Sequence, residues 1–155
     1  MKILKLLVSI LVPLFIGGFS GMLTAGEIPN WYATLQRPSF SPPNAVFGPV
    51  WTLLYLLMGI SFYRIWMKPL SPSRTRAMVF FAVQLVLNFF WSLIFFRWHS
   101  IGLALVEILL LWATLLGMII VFNRVDKAAA LMNIPYLLWV SFATVLNAGY
   151  FWLNR

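Results

Sequence analysis

Gln84, Asn88, Trp91 and Phe95 follow one another at spacings of four, three and four, so a helix would gather them on one face as two amides and then two rings. In an apolar helix that is the chemistry of a binding surface: amides supply directional hydrogen bonds, and aromatic rings supply flat apolar area. The same amides can instead tie neighbouring helices together. A second stripe, Pro135, Trp139, Ala143 and Asn147, repeats the pattern at a spacing of four. Ala143 leaves a recess between an indole and an amide there, and Pro135 removes a helix donor and permits a kink.

Most catalytic chemistries lack their groups. The chain has no cysteine and a lone histidine, His99, which excludes disulfides, thiolate chemistry and Cys- or His-built metal centres. No span carries paired carboxylates, no Ser-His-Asp set can be assembled, and no glycine loop can cradle phosphate. The reading is therefore no metal and no required cofactor. Chemistry on a photoexcited or redox-active ligand needs none of these groups, and tryptophan can take part in it. Glu107 is the one acid well inside an apolar run; a position near the Arg97 loop suggests a structural or interfacial role, with snorkelling, protonation or pairing to Arg97 easing its cost.

The elements that must position these residues are membrane helices. Of 155 residues, 63% are hydrophobic and 9% charged, and the mean hydropathy is +0.93. About 20 mostly apolar residues cross a bilayer. Segments 3–25, 46–67, 77–96, 101–122 and 128–153 qualify, which predicts an all-α membrane protein. It would be a five-transmembrane-helix bundle in a single domain, 1–155, with one long loop at 26–45. The first run starts like a signal peptide at Lys2 and Lys5 but is too long for one, and is read as an uncleaved span.

The net charge of +8 is scattered between apolar runs, which suits membrane topology and not a nucleic-acid footprint. Lys2, Lys5, Arg64, Lys68, Arg74, Arg76, Arg124 and Lys127 fall on one side, and Arg37, Arg97 and Arg155 on the other. In a bacterial cell membrane this bias makes the N-terminus cytoplasmic. Gly17 and Gly21 form a GxxxG pair suited to close helix packing or dimerisation.

The long loop holds Trp31, Tyr32, Arg37, Pro38, Phe40, Pro42, Pro43 and Phe47, with Pro49 just beyond. Prolines limit its unfolded freedom, and the rings give it apolar weight to fold back onto the bundle. Three stretches, "WYATLQRPSFSPPNAVFGPVWTLLYLLMG", "QLVLNFFWSLIFF" and "PYLLWVSFATVLN", together resemble the TspO/MBR family, which comprises the tryptophan-rich sensory proteins and the mitochondrial translocator protein once called the peripheral benzodiazepine receptor. The resemblance covers nearly the whole chain, in order.

It implies a five-helix bundle, usually a homodimer, with a pocket beneath the first loop. The implied ligands are protoporphyrin IX, heme and related tetrapyrroles, cholesterol in mitochondrial members, and isoquinoline carboxamides. The implied pocket residues are Gly21, Thr24, Tyr32, Phe47, Gly48, Trp51, Asn88, Trp91, Trp139, Phe142, Ala143 and Asn147; the amide face adds Gln84. Trp51 and Trp139 match the tryptophans implicated where members degrade protoporphyrin under light. In such a site the loop residues Trp31, Arg37, Pro38, Pro42 and Pro43 would close a lid over a flat apolar disc. Arg37 would meet either a propionate or a lipid headgroup. Leu146, Tyr150 and Arg155 fit a sterol-contact pattern, but Tyr150, Trp152 and Arg155 read more simply as interfacial anchors. Phe40 and Leu103 depart from the mitochondrial pattern.

Overall fold

The computed structural model describes residues 1–155 and contains helices and turns without a strand. In chain order these are α1 (Lys2–Thr24), α2 (Glu27–Asn30), a 3₁₀ turn (Tyr32–Thr34), α3 (Asn44–Trp66), α4 (Pro72–Ser92) continuing into a π-helical turn (Leu93–Arg97), α5 (Ile101–Val125), α6 (Lys127–Leu131) and α7 (Ile134–Leu153). α1, α3, α4 with its π turn, α5, and α6 with α7 give five spans long and apolar enough to cross a membrane. Large side chains such as Leu11, Phe15, Val79, Val86, Leu110 and Val145 point outward, as expected where lipid is the solvent.

Span ends shift by up to five residues from the apolar runs, and two of the differences have a clear local cause. The third span begins at Pro72, five residues before the predicted 77. Ser71 caps it, its Oγ accepting from the Arg74 N–H at 3.1 Å, and proline suits the first helical position because its missing donor is not needed there. This opening turn, Pro72 to Arg76, is polar, so hydropathy does not register it. The fifth span is broken at Met132 and Asn133, where Pro135 is approached. Asp126 caps α6 through the Ala129 N–H at 2.9 Å, and the Asn133 amide donates to Ser61 Oγ and to the Ala129 carbonyl, both at 2.9 Å.

The bundle is solid toward the end that carries the N-terminus. Met58, Ile65, Ala77, Leu115, Met118, Phe122 and Ala129 are completely buried in one cluster there. With lipid outside, this half is held by close packing, since moving an apolar side chain from lipid to protein gains little by transfer. Gly59 marks the tightest approach: a Cβ at that position would sit 2.7 Å from both the Ile10 Cα and the Ser9 carbonyl oxygen of α1. Pro13, inside α1, lacks the N–H that would otherwise engage the Ser9 carbonyl. At the same end Asp126 joins Arg64 at 3.0 Å and Lys68 at 2.8 Å, linking the end of α3 to the turn before α6.

Candidate functional site

Toward the other end the helices diverge around a cavity of about 450 Å³, within the range of small-molecule sites. Its walls are Gly18, Gly21 and Thr24 of α1, Phe47, Gly48, Trp51 and Tyr55 of α3, Asn88 and Trp91 of α4, Phe95 and Phe96 of the π turn, and Trp139, Ala143, Asn147 and Tyr150 of α7, with Tyr32 from the 3₁₀ turn. The π turn explains why two successive phenylalanines both reach it. The Trp98 N–H bonds back five residues to the Leu93 carbonyl at 2.9 Å, and this wider turn re-aims side chains that a regular helix would separate by about 100°.

The deep end is a hydrogen-bonded chain. The Tyr55 O–H donates to Asn88 Oδ1 at 2.6 Å, Asn88 Nδ2 donates to the Tyr136 oxygen at 2.9 Å, and the Tyr136 O–H donates to Gln84 Oε1 at 2.8 Å. Gln84 Nε2 ends the chain at Met58 Sδ, 3.7 Å away. Every member satisfies a neighbour, as polar groups buried at membrane depth must. Trp51 lies across this chain, stacked on Tyr55 at 5.6 Å and edge-on to Tyr136 at 6.1 Å. On the far wall Trp91 Nε1 donates to Asn147 Oδ1 at 3.1 Å, and Asn147 Nδ2 donates to the Ile101 carbonyl at 3.0 Å, which orients both side chains.

The loop roofs the cavity. The Tyr150 O–H donates to Tyr32 at 2.6 Å and lies 3.2 Å from Ser41 Oγ. Burial, above all, pushes the Tyr32 phenol up to about 12, so it is neutral at physiological pH. Pro38 seats over Gly149, where a Cβ would come within 2.8 Å of its ring. Asn154 grips the Gln36 backbone from both sides, accepting from its N–H at 2.8 Å and donating to its carbonyl at 3.0 Å. At the loop's start, Trp31 stacks on His99 at 4.3 Å, and Glu27 pairs with Arg97 at 3.0 Å and His99 at 2.9 Å. The hydrogen bond with His99 is the main influence holding the Glu27 carboxyl below its ordinary value. His99 takes a left-handed backbone, φ 53°, a conformation histidine tolerates better than most residues.

Eleven of the expected pocket residues meet at this cavity: Gly21, Thr24, Tyr32, Phe47, Gly48, Trp51, Asn88, Trp91, Trp139, Ala143 and Asn147. Two do not. Gln84 is wholly buried beneath the cavity as the support of Tyr136, because one helical turn separates it from Asn88. Phe142 stands behind Trp139, ring centroids 5.5 Å apart, and meets Phe40 of the loop.

Arg37 turns into its own loop, donating to Asn44 Oδ1 at 3.0 Å and the Pro42 carbonyl at 3.3 Å with its guanidinium over the Tyr32 ring. Tyr150 is not an interfacial anchor: it is 1% exposed and bonded inside the roof. Trp152 is outside, with Arg155 over its ring. Glu107 does not pair with Arg97, which is engaged by Glu27; both Glu107 oxygens are buried without a hydrogen bond. The glycine pair divides its work. Gly17 abuts the Tyr55 ring within the same chain, whereas a Cβ on Gly21 would meet nothing within 4 Å.

Tyr55, Tyr136, Phe96 and Glu27 were missed. Tyr55 follows Trp51 by one turn and was findable by spacing. Phe96 depends on the π turn and Glu27 on a contact 70 residues away, which periodicity does not encode.

These features define a class: a multi-pass α-helical membrane protein with a loop-roofed, aromatic-walled cavity. The TspO/MBR family model matches residues 9–153, and the chain belongs to that family. It is 42% identical to the tryptophan-rich protein TspO of Archaeoglobus fulgidus, over 99% of each chain. It is also 41% identical to the translocator protein of Homo sapiens, over 79% of this chain and 73% of that one. To a tryptophan-rich sensory protein of Cereibacter sphaeroides it is 34% identical, over 76% and 73% of the respective chains.

Proposed function

We propose that this protein binds tetrapyrroles of the protoporphyrin IX or heme type within the membrane and acts in porphyrin sensing, handling or stress response. The observation that carries the reading is the convergence of Trp51, Trp91 and Trp139 with the Asn88 and Asn147 amides on one roofed cavity. A macrocycle offers flat apolar faces, which indoles complement, and a polar edge, which amides and the roof hydroxyls can meet. The sensory and translocator names of its relatives fit ligand handling. A homodimer in a bacterial cell membrane is the accompanying proposal, and the basic side that Lys2, Lys5, Arg64 and Lys68 share supports a cytoplasmic N-terminus in it.

The test is a protoporphyrin IX titration of the purified protein in the dark, followed by tryptophan quenching. Ala143→Phe fills the recess between Trp139 and Asn147 and is expected to weaken binding at least tenfold with an unchanged melting temperature. Equal affinity in that variant would remove the chamber assignment.

A second reading, light- and oxygen-dependent degradation of protoporphyrin IX, is favoured by one feature. Trp51 stacks directly on Tyr55, so an oxidised indole would have an oxidisable ring beside it. Illumination in oxygen should then give a defined product that is lost when Trp51→Phe and Trp139→Phe are combined; bleaching at the rate of free porphyrin would leave binding alone. Transport of porphyrin or sterol ranks lower, since five spans show no evident inverted repeat. Isoquinoline carboxamides are candidate synthetic ligands for the same chamber.

A further inference from the structure

The acids of this chain are three, and none of them pairs with Arg74. Glu27 is held by Arg97 and His99, and Asp126 by Arg64 and Lys68. Glu107 lies inside span α5 and enters none of these pairs. Arg74 is nevertheless 8% exposed, its Nε is fully buried without a hydrogen-bond partner, and no ion pair includes it. A guanidinium is always charged, and desolvating it without a counter-ion costs several kcal/mol. Its position adds to the problem. Arg74 is the third residue of α4, three after the Ser71 cap, where the helix dipole is positive and disfavours a cation.

Neighbouring charge does not relieve it either. Arg76 is exposed two residues on, and Arg64, Lys68, Arg124 and Lys127 lie at the same end of the bundle around a single acid, Asp126. One kind of group answers both defects: an external anion that can accept from a planar fork and sit against a helix N-terminus. A phosphate does so, and the polar turn at 72–76 precedes the apolar part of its span, the place in a membrane helix where headgroup phosphates are expected.

We propose that Arg74 is the centre of a phosphate-binding site on the N-terminal side of the bundle, filled by the headgroup phosphate of an anionic lipid or by free phosphate. The exposed cations at this end of the bundle set the electrostatic attraction, and Arg74 supplies the specific fork. The site lies at the opposite end of α4 from the Trp91 chamber wall, so porphyrin binding does not depend on it.

The experiment uses the purified, delipidated full chain in neutral detergent, titrated with phosphatidylglycerol, with phosphatidylcholine of the same acyl chains, and with inorganic phosphate. Binding is read by native mass spectrometry and by melting temperature. Phosphatidylglycerol is expected to bind at least tenfold more tightly than phosphatidylcholine, with the preference lost in Arg74→Gln and kept in Arg76→Gln. Competition by millimolar inorganic phosphate would identify a site for phosphate itself, and failure to compete would identify the lipid as occupant.

On the unmodified chain, phosphatidylglycerol should protect Arg74, but not Arg76, from phenylglyoxal, mapped by peptide mass. This keeps the test decisive if Arg74→Gln does not fold. Equal binding of the two lipids, an undiminished preference in Arg74→Gln, or protection of Arg76 alone would overturn the proposal.

Discussion

The two ends of this bundle are built from the same five spans yet do opposite things with them. At the N-terminal end, aliphatic side chains and Gly59 bring α1 and α3 into backbone contact, and Met58, Met118 and Phe122 leave no room. At the loop end, rings from α3, α4 and α7 stand apart around a cavity, and closure comes from a roof of tyrosines, prolines and one asparagine. The comparison teaches that a membrane chamber needs a rigid anchor elsewhere. Lipid gives apolar side chains no strong reason to leave it, so helices that diverge at one end must be held by fit at the other.

Gly59→Val tests the anchor most severely. The added atoms would meet backbone, which cannot move aside as a side chain can, so a loss of about 3 kcal/mol is expected by the usual cost of overpacking. Thermal unfolding in detergent measures it, and porphyrin binding should fail along with the fold. Tolerance of valine would show that α1 and α3 are not held here.

Asp126→Asn should act on the same end more gently. Burial raises the Asp126 carboxyl, but hydrogen bonds from Lys68, the Ala129 N–H and Arg64 outweigh it and hold it at about 2, against an ordinary 3.8. A depressed carboxylate stabilises fully above its unfolded value and loses that contribution as pH falls through the folded one. Because both basic partners are 41% exposed, the loss at neutral pH is expected to be about 1 kcal/mol, or roughly 2–4 °C of melting temperature. The gap between parent and variant should persist at pH 5 and narrow below about pH 4.

Gly21→Ala sharpens the contrast from the hollow side. Its Cβ would meet nothing within 4 Å, so stability should stay within about 0.5 kcal/mol. The methyl enters the chamber, and a several-fold change in porphyrin affinity with no change in melting is the expected result. A fall in melting like that of Gly59→Val would mean that the two ends are not distinct.

Much of this was legible beforehand because membrane spans announce themselves by length and apolarity. The amide-and-ring face of α4 and the Trp139, Ala143, Asn147 stripe of α7 were readable because a helix repeats side-chain direction every three to four residues. The same spacing grouped Gln84 with Asn88, yet could not say that one would support a tyrosine while the other faced a cavity. Phe142 entered through family likeness and stands one layer back. Glu27, Tyr136 and the roof bond between Tyr150 and Tyr32 lay outside any periodic pattern, since each depends on a partner 48 or more residues distant.

By itself the sequence determined five spans, the side that carries the basic residues, the absence of conventional catalytic groups, and which helix faces hold rings and amides. These follow from composition and from the helical repeat, which are local properties. Only the tertiary structure decided that Gly17 packs while Gly21 opens, that Arg97 belongs to Glu27 and not to Glu107, that a π turn admits Phe96 to the cavity, and that Arg74 is buried without a partner. Those outcomes depend on which helices approach and how closely. That is set by the fit of whole faces, not by any one segment of the chain.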